Sequence, residues 1–393
     1  MAQSRRLELH PDRLFPSDPV VRDIARRLYQ QIKDLPIVSP HGHTDPRWFA
    51  EDANWDNATA LLLLPDHYVF RMLYSQGIKL EELGIRRKDG AVVESDYRKI
   101  FHIFAKHYYL FRGTPSRIWL DTVFHDVFGL TETLCEETAD HYYDSINAQL
   151  AKPEFKPRAL LERFNIELIA TTEGALNDLK HHAKLKGTGY EHKVITTFRP
   201  DDVVDADRAD FAANVAKLGQ LTGEDTQSWP GYLAALRKRR KVFREHGATA
   251  TDHGHPTAIT ADLPMKDAAA LFQRCLSGKA TATETELFRG QMLTEMAGMS
   301  LEDGMTMQIH PGAHRNHNAV IFERFGPDKG ADIPSPTEYV QALKPLLQKY
   351  GNEASLNIIL FTLDETTYAR ELAPLAGHYP ALKLGPAWWF HDS

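Results

Sequence analysis

Seven short apolar runs recur along this chain, and nearly all of them end in His, Asp, Glu or Arg. They are PIVSPHGH (36–43), IELIATTEG (166–174), KVITTFRPD (193–201), GATATDHGH (247–255), MTMQIHPG (305–312), NIILFTLDE (357–365) and ALKLGP (381–386). Bounded runs of this length read as strands, and helix-like stretches separate most of them. Strands alternating with helices predict an α/β fold with a parallel sheet and βαβ crossovers. Polar residues gathered at the C-terminal ends of such strands are the layout of a (β/α)-barrel active face. A dinucleotide-binding sheet is the competing architecture, but no GxGxxG follows the first strand.

The spacing is uneven. About 120 residues separate the first two runs, far more than a crossover needs. DHYVFRMLYSQG, YRKIFHIFAKHYYLF and SRIWLDTVFHDVF fill that interval with aliphatic and aromatic residues at helical spacing. The expected organisation is one barrel domain: an N-terminal segment with the first strand (1–60), a helical insertion (61–160), and the remaining strands and helices (161–393). Further helical stretches are expected over about 202–246 and 262–303. The charge run LRKRRKVFRE (236–245) reads as a solvated helix face.

Net charge is −7, from 53 acidic and 46 basic side chains. That balance lacks the basic excess of a nucleic-acid binder. No apolar run of about 18 residues offers a membrane span, and the N-terminus has no signal-peptide core. Cys135 and Cys275 lie far apart without CxxC spacing, as expected of two reduced, buried thiols in a cytoplasmic protein.

Histidine is abundant, at 19. His41 and His43 project to one side of the first strand's end. Two imidazoles there can grip a cation, or they can be ordinary polar residues at a strand exit. His310 closes another strand and offers a third nitrogen ligand; it can equally cap a strand. Asp252, His253 and His255 cluster in TDHGHP, which can hold a second metal or, the preferred reading, use an imidazole such as His253 to orient a ligand or substrate. Asp66 is a good N-cap for a helix beginning His67-Tyr68, a pair able to do acid–base work or to pack. Arg199 and Arg315 leave strands on the same face, where a guanidinium can hold a carboxylate or simply be an ordinary surface residue. Trp388-Trp389-Phe390 can wall a sugar pocket or fill a core.

Taken together and in order, HGHTDP, PDHY, FNIELIATTEG, TFRPD, DHGH, QIHPGAHRNHN and GPAWWFHD resemble the uronate isomerases, a branch of the amidohydrolase superfamily. The resemblance runs over essentially the whole chain. It implies a (β/α)8 TIM-type barrel with a helical insertion. It also implies interconversion of aldose and ketose uronates: glucuronate with fructuronate, galacturonate with tagaturonate. By the same resemblance His41, His43 and His310 are metal-site residues for a divalent cation, zinc first and manganese second. His67 and Tyr68 are catalytic. Arg199, Arg315, Trp388, Trp389 and His253 line the site of a small sugar-acid substrate. A homo-oligomer is expected, with neither nucleic acid nor membrane as partner.

Three departures stand out. HGH replaces the HCH of many relatives, which leaves ligation unchanged because the middle side chain faces away. TTEG replaces TTDDP, so Glu173 alters the local turn. The family pattern continues past WWF into an eighth strand with an Asp ligand and an Arg, whereas this sequence stops at Ser393. The expectation is therefore a barrel lacking its last strand and helices, with unpaired backbone at the gap. Asp364 is a spare carboxylate on the sixth strand that does not match the family ligand. The expected chemistry is proton transfer through a cis-enediol, with Tyr68 tuned by His67. A metal-dependent hydrolase is one alternative, weakened by the absence of a lysine on the fourth strand. A non-catalytic sugar-binding relative is another.

Overall fold

The computed structural model describes residues 6–388. All seven apolar runs form strands. β1 (Ile37–Ser39), β2 (Ile166–Gly174), β3 (Val194–Arg199), β4 (Ala250–His253) and β5 (Thr306–Ile309) come first in the chain. A two-residue pair, β6 (Ala313–His314) and β7 (Ile333–Pro334), interrupts the series before β8 (Ile358–Thr362) and β9 (Leu382–Ala387). The main sheet has seven strands in the order β1-β2-β3-β4-β5-β8-β9, every pairing parallel. Among the described residues, β1 and β9 are its two edges.

The sheet is curled. In a flat sheet β1 and β8 would stand five spacings apart, about 24 Å. Yet the rings of His41, beyond β1, and Phe361, in β8, have centroids 6.3 Å apart. Gln308 of β5 donates from Nε2 to the Pro40 carbonyl at 3.4 Å. Side chains on the concave face therefore converge from strands distant in the sheet order.

β3 shows why these segments are strands: VITTFR is rich in β-branched residues and buried over all but its last position. Phe198 points outward, its ring 4.9 Å from Phe243 on the helix Trp229–Arg244. β1 differs from the buried strand expected of LPIV. Ile37 and Val38 are 50% and 53% exposed.

The long interval between β1 and β2 is helical, as expected. Its aromatic residues Phe101, Phe104, Tyr108, Phe124 and Tyr142 build a core separate from that under the sheet. Ile321 and Phe325, from the helix Ala319–Phe325 beyond β5, complete it. The loop carrying the RNHN motif is thereby anchored to the insertion.

The charge run is solvated on one side only: Arg237, Lys238, Lys241 and Arg244 are exposed. Arg239 and Arg240 are buried, at 8% and 1% exposure, not solvated. Arg240 donates to Asp303 (Nε–Oδ2 2.6 Å, Nη2–Oδ1 2.9 Å) and to Ser300 Oγ at 3.0 Å. Arg239 donates to the carbonyls of Ala175 and Asn177. Charge is tolerated there because each fork meets acceptors in place. Cys275 is buried as expected, whereas Cys135 is only partly so. Among the described residues no helix is long and apolar enough to cross a membrane.

Candidate metal and substrate site

Three donors from two distant strands meet on the concave face. The ligand atoms of His41, His43 and Asp252 lie within 4.8 Å of one another. The histidines lie in the irregular stretch just beyond β1, their rings 5.2 Å apart. Asp252 reaches them from β4, three spacings away, because the sheet curls. His41 is partly buried, Asp252 fully, and His43 lies at the open rim. Burial pushes the His41 imidazole down to about 4, so it is neutral and able to ligate at physiological pH. Burial opposes ionisation of Asp252, but His310, Arg199 and His41 overcome it and hold the carboxyl well below its usual range.

Two imidazoles and a carboxylate are a zinc-type donor set. Among the described residues, His41 Nδ1 and His310 Nε2 are buried without a hydrogen-bond partner. Orphaned buried donors are costly, and a cation at the trio would engage its share of them. The residues fit a divalent ion.

His310 lies beside this trio rather than within it. Its ring stacks on His41 at 4.5 Å and on Phe361 at 4.1 Å, and its Nδ1 is 2.7 Å from Asp252 Oδ1. Trp388 stands edge-on to His310 at 5.0 Å. Trp389 lies outside the described residues.

Arg199, expected at the substrate, is held by the protein's own carboxylates. Its Nε is 2.7 Å from Asp201 Oδ2 and its Nη1 3.3 Å from Asp252 Oδ2. Arg315 is braced by buried Asp332, whose Oδ2 lies 2.9 Å from Arg315 Nη1 and whose Oδ1 accepts the Asn316 N–H at 2.5 Å. Asp66 caps the helix His67–Ser75 by accepting from the Tyr68 and Val69 N–H groups. The His67 and Tyr68 rings stand 4.5 Å apart. Gly330, at φ +70°, packs so closely on this first turn that a Cβ would sit 3.0 Å from the His67 carbonyl and 2.7 Å from Arg71 Cβ. The segment 330–332 thus touches the His67-Tyr68 turn at one end and pins Arg315 at the other.

The structure does not bring His253 to the trio. Alternation sets it on the opposite face of β4 from Asp252; it is wholly buried and paired with Thr251 Oγ1 at 2.9 Å. Burial lowers its pKa to about 3, so it stays neutral there. Asp364 is a turn cap, accepting from the Thr366 N–H. A cavity of about 420 Å³ opens beside His43, lined also by Asp45, Thr172, Glu173, Lys180 and His181. That volume suits a small polar ligand, since such sites run from about 300 to 1,000 Å³. Sequence reasoning missed that Asp252 joins His41 and His43 rather than a separate cluster with its own histidines, and missed Asp201 and Asp332 as arginine braces. For Asp252 a signal existed: parity along ATDH sets it opposite His253, on the concave face.

Known proteins resemble this chain over nearly its whole length. A family model described as glucuronate isomerase matches residues 19–393. A uronate isomerase of Rhizorhabdus wittichii is 64% identical over 387 residues, covering 98% of this chain and 82% of its own. The crystal structure of glucuronate isomerase from Caulobacter crescentus superposes with a TM-score of 0.96 at 58% identity, covering 99% of this chain and 81% of that one. A uronate isomerase structure from Thermotoga maritima gives a TM-score of 0.87 at 29% identity, covering 94% and 80%.

Proposed function

Because the chain belongs to the glucuronate isomerase family, we propose that it interconverts aldose and ketose uronates, glucuronate with fructuronate and galacturonate with tagaturonate. The observation that carries this reading beyond family membership is the convergence of His41, His43 and Asp252 on the concave face of the curled sheet. We read that sheet as the frame of a (β/α)8 barrel, supported by its sequential parallel order.

The reaction moves a proton from C2 to C1 and exchanges the carbonyl and hydroxyl roles of those carbons through a cis-enediol. His41, His43 and Asp252 would hold a divalent cation, zinc by preference and manganese as the alternative, which would supply Lewis acidity to the site. Tyr68, tuned by His67, carries protons to and from O1 and O2. Arg315, fixed by Asp332, holds the polar end of the sugar acid, with Trp388 as an apolar wall beside His310. His310 steadies Asp252. The same reading includes a cytoplasmic enzyme working as a homo-oligomer, for which sedimentation is the direct check.

Proton NMR of the purified protein with glucuronate in deuterated water tests the chemistry. Fructuronate carrying deuterium at C1 is the expected product. Conversion with complete retention of the C2 hydrogen would favour a hydride shift. Lack of turnover with either uronate, alongside hydrolysis of lactones or amides, would overturn the reading.

A further inference from the structure

Arg199 sits where β3 ends, next to the end of β4, and its surroundings close around it. Nε faces Asp201 Oδ2 at 2.7 Å. Nη1 faces Asp252 Oδ2 at 3.3 Å. Nη2 lies against Gly254, so close that a Cβ there would come within 2.3 Å of it. Asp201 is itself tied down, because the Gly254 N–H approaches its Oδ2 at 3.2 Å and its Oδ1 at 3.3 Å. The ends of two neighbouring strands are thus laced by residues two apart on each: Arg199 and Asp201, Asp252 and Gly254.

An arginine that recognises a substrate carboxylate presents two parallel N–H groups from one edge of its fork. Each edge of this fork already includes a nitrogen facing an internal carboxylate. Asp252, by contrast, gains orientation from the contact. One of its oxygens faces Arg199, while the other stands 2.7 Å from His310 Nδ1, toward the cation donors. The cluster Asp201, Arg199 and Asp252 keeps one net negative charge, suited to a cation.

We infer that Arg199 serves the protein's own carboxylate rather than the sugar's: Asp201 and the Gly254 backbone hold the guanidinium against Asp252, which makes Asp201 a positioning residue of the cation site. The inference rests on the proposed cation site and names residues that orient it without touching substrate. Outer partners of a metal ligand typically contribute about 10- to 100-fold in metal affinity.

The test strips the protein of metal with a chelator and titrates it with Zn2+ against a chelating dye. Wild type should bind one ion per chain. Asp201→Asn and Gly254→Ala should each weaken Zn2+ binding by about 10-fold or more. At saturating Zn2+ the KM for glucuronate should stay within about twofold of wild type while kcat falls. Arg199→Lys, which keeps the charge and loses the fork, should weaken Zn2+ in the same way. It decides the matter if either other variant fails to fold. Unchanged Zn2+ affinity with a KM raised about 10-fold would assign Arg199 to the sugar and overturn the inference. A lowered Tm of the metal-free protein with neither binding constant moved would reduce Asp201 to a structural role and overturn it as well. If wild type itself binds no divalent cation, the cation reading of the trio falls first, a failure distinguishable from the others.

Discussion

At the scale of single residues, the proposed cation site rests on imidazoles and one well-braced carboxylate, and a loss of metal and activity tests it. His43→Ala removes a donor from the trio without disturbing a buried residue, since His43 is exposed. Lewis-acid stabilisation of developing charge is worth several kcal/mol, so kcat/KM should fall on the order of 10³-fold. Elemental analysis should show the metal lost in parallel. A His43→Ala protein with full activity and full metal content would remove the trio from the mechanism. His182 makes a prediction about pH. It is buried, its Nε2 lies 2.9 Å from Thr171 Oγ1, and burial lowers its pKa to about 4. The unfolded chain protonates this histidine near 6.5. Its contribution to stability is therefore complete above that value and is lost as pH falls toward 4. The loss amounts to about 3 kcal/mol at about 1.4 kcal/mol per unit. Glu173, whose carboxyl burial raises, responds in the opposite sense, gaining stability as pH falls. His182→Gln isolates the histidine: the midpoint of urea unfolding should depend less on pH between 7 and 4 than in wild type. Equal slopes would show that the imidazole has an ordinary pKa.

At the scale of elements, the helix Trp229–Arg244 shows how a sequence can mislead. LRKRRKVFRE reads as surface because the sequence displays its charges and hides their partners. Asp303, which receives the Arg240 fork, lies 63 residues away. Arg240→Met should cost about 3–5 kcal/mol, because it leaves a carboxylate facing the interior without its cation. Exposed Lys241→Ala on the same helix should stay within about 0.5 kcal/mol. Urea denaturation of the two variants separates them, and similar small losses in both would mean Asp303 relaxes into water. The segment at Gly330 is a second element-level joint. Its positive φ and its close approach to the His67 carbonyl leave no room for a side chain. Gly330→Ala should destabilise by about 1–3 kcal/mol. It should also lower kcat/KM, since the same shift moves the His67-Tyr68 turn and the Asp332 brace on Arg315. Unaltered kinetics in a destabilised variant would uncouple that segment from the site.

At the scale of the whole molecule, the order of the sheet was legible in the sequence because each apolar run advertises both its strand and its polar end. The helical insertion was legible because its aromatic residues keep helical spacing over an interval too long for a crossover. Parity suggested that His41 and His43 share a side, and they do stand together, although both lie beyond the last residue of β1. What parity cannot give is which distant strand faces which. Curling brings Asp252 to the histidines and turns His253 away, and it makes Phe361 a neighbour of His41 and His310. Nor does a sequence reveal that Ile321 and Phe325, beyond β5, fill the core of an insertion that begins after β1. That shared core sets how the molecule unfolds. With Phe325 in place, insertion and sheet are locked together through the loop that carries Arg315, and calorimetry should show one cooperative transition. Phe325→Ala removes a nearly fully buried ring, at a cost of about 3–5 kcal/mol. The cost falls on the insertion's core, at the point where the helix from beyond β5 enters it, so the transition should split, with the insertion melting first. Site order should go with it: KM for glucuronate should rise before bulk unfolding begins, because Arg315 and the His67-Tyr68 turn lose their common support. A single transition shifted as a whole, with KM unchanged up to its onset, would show that the two cores hold together without that ring.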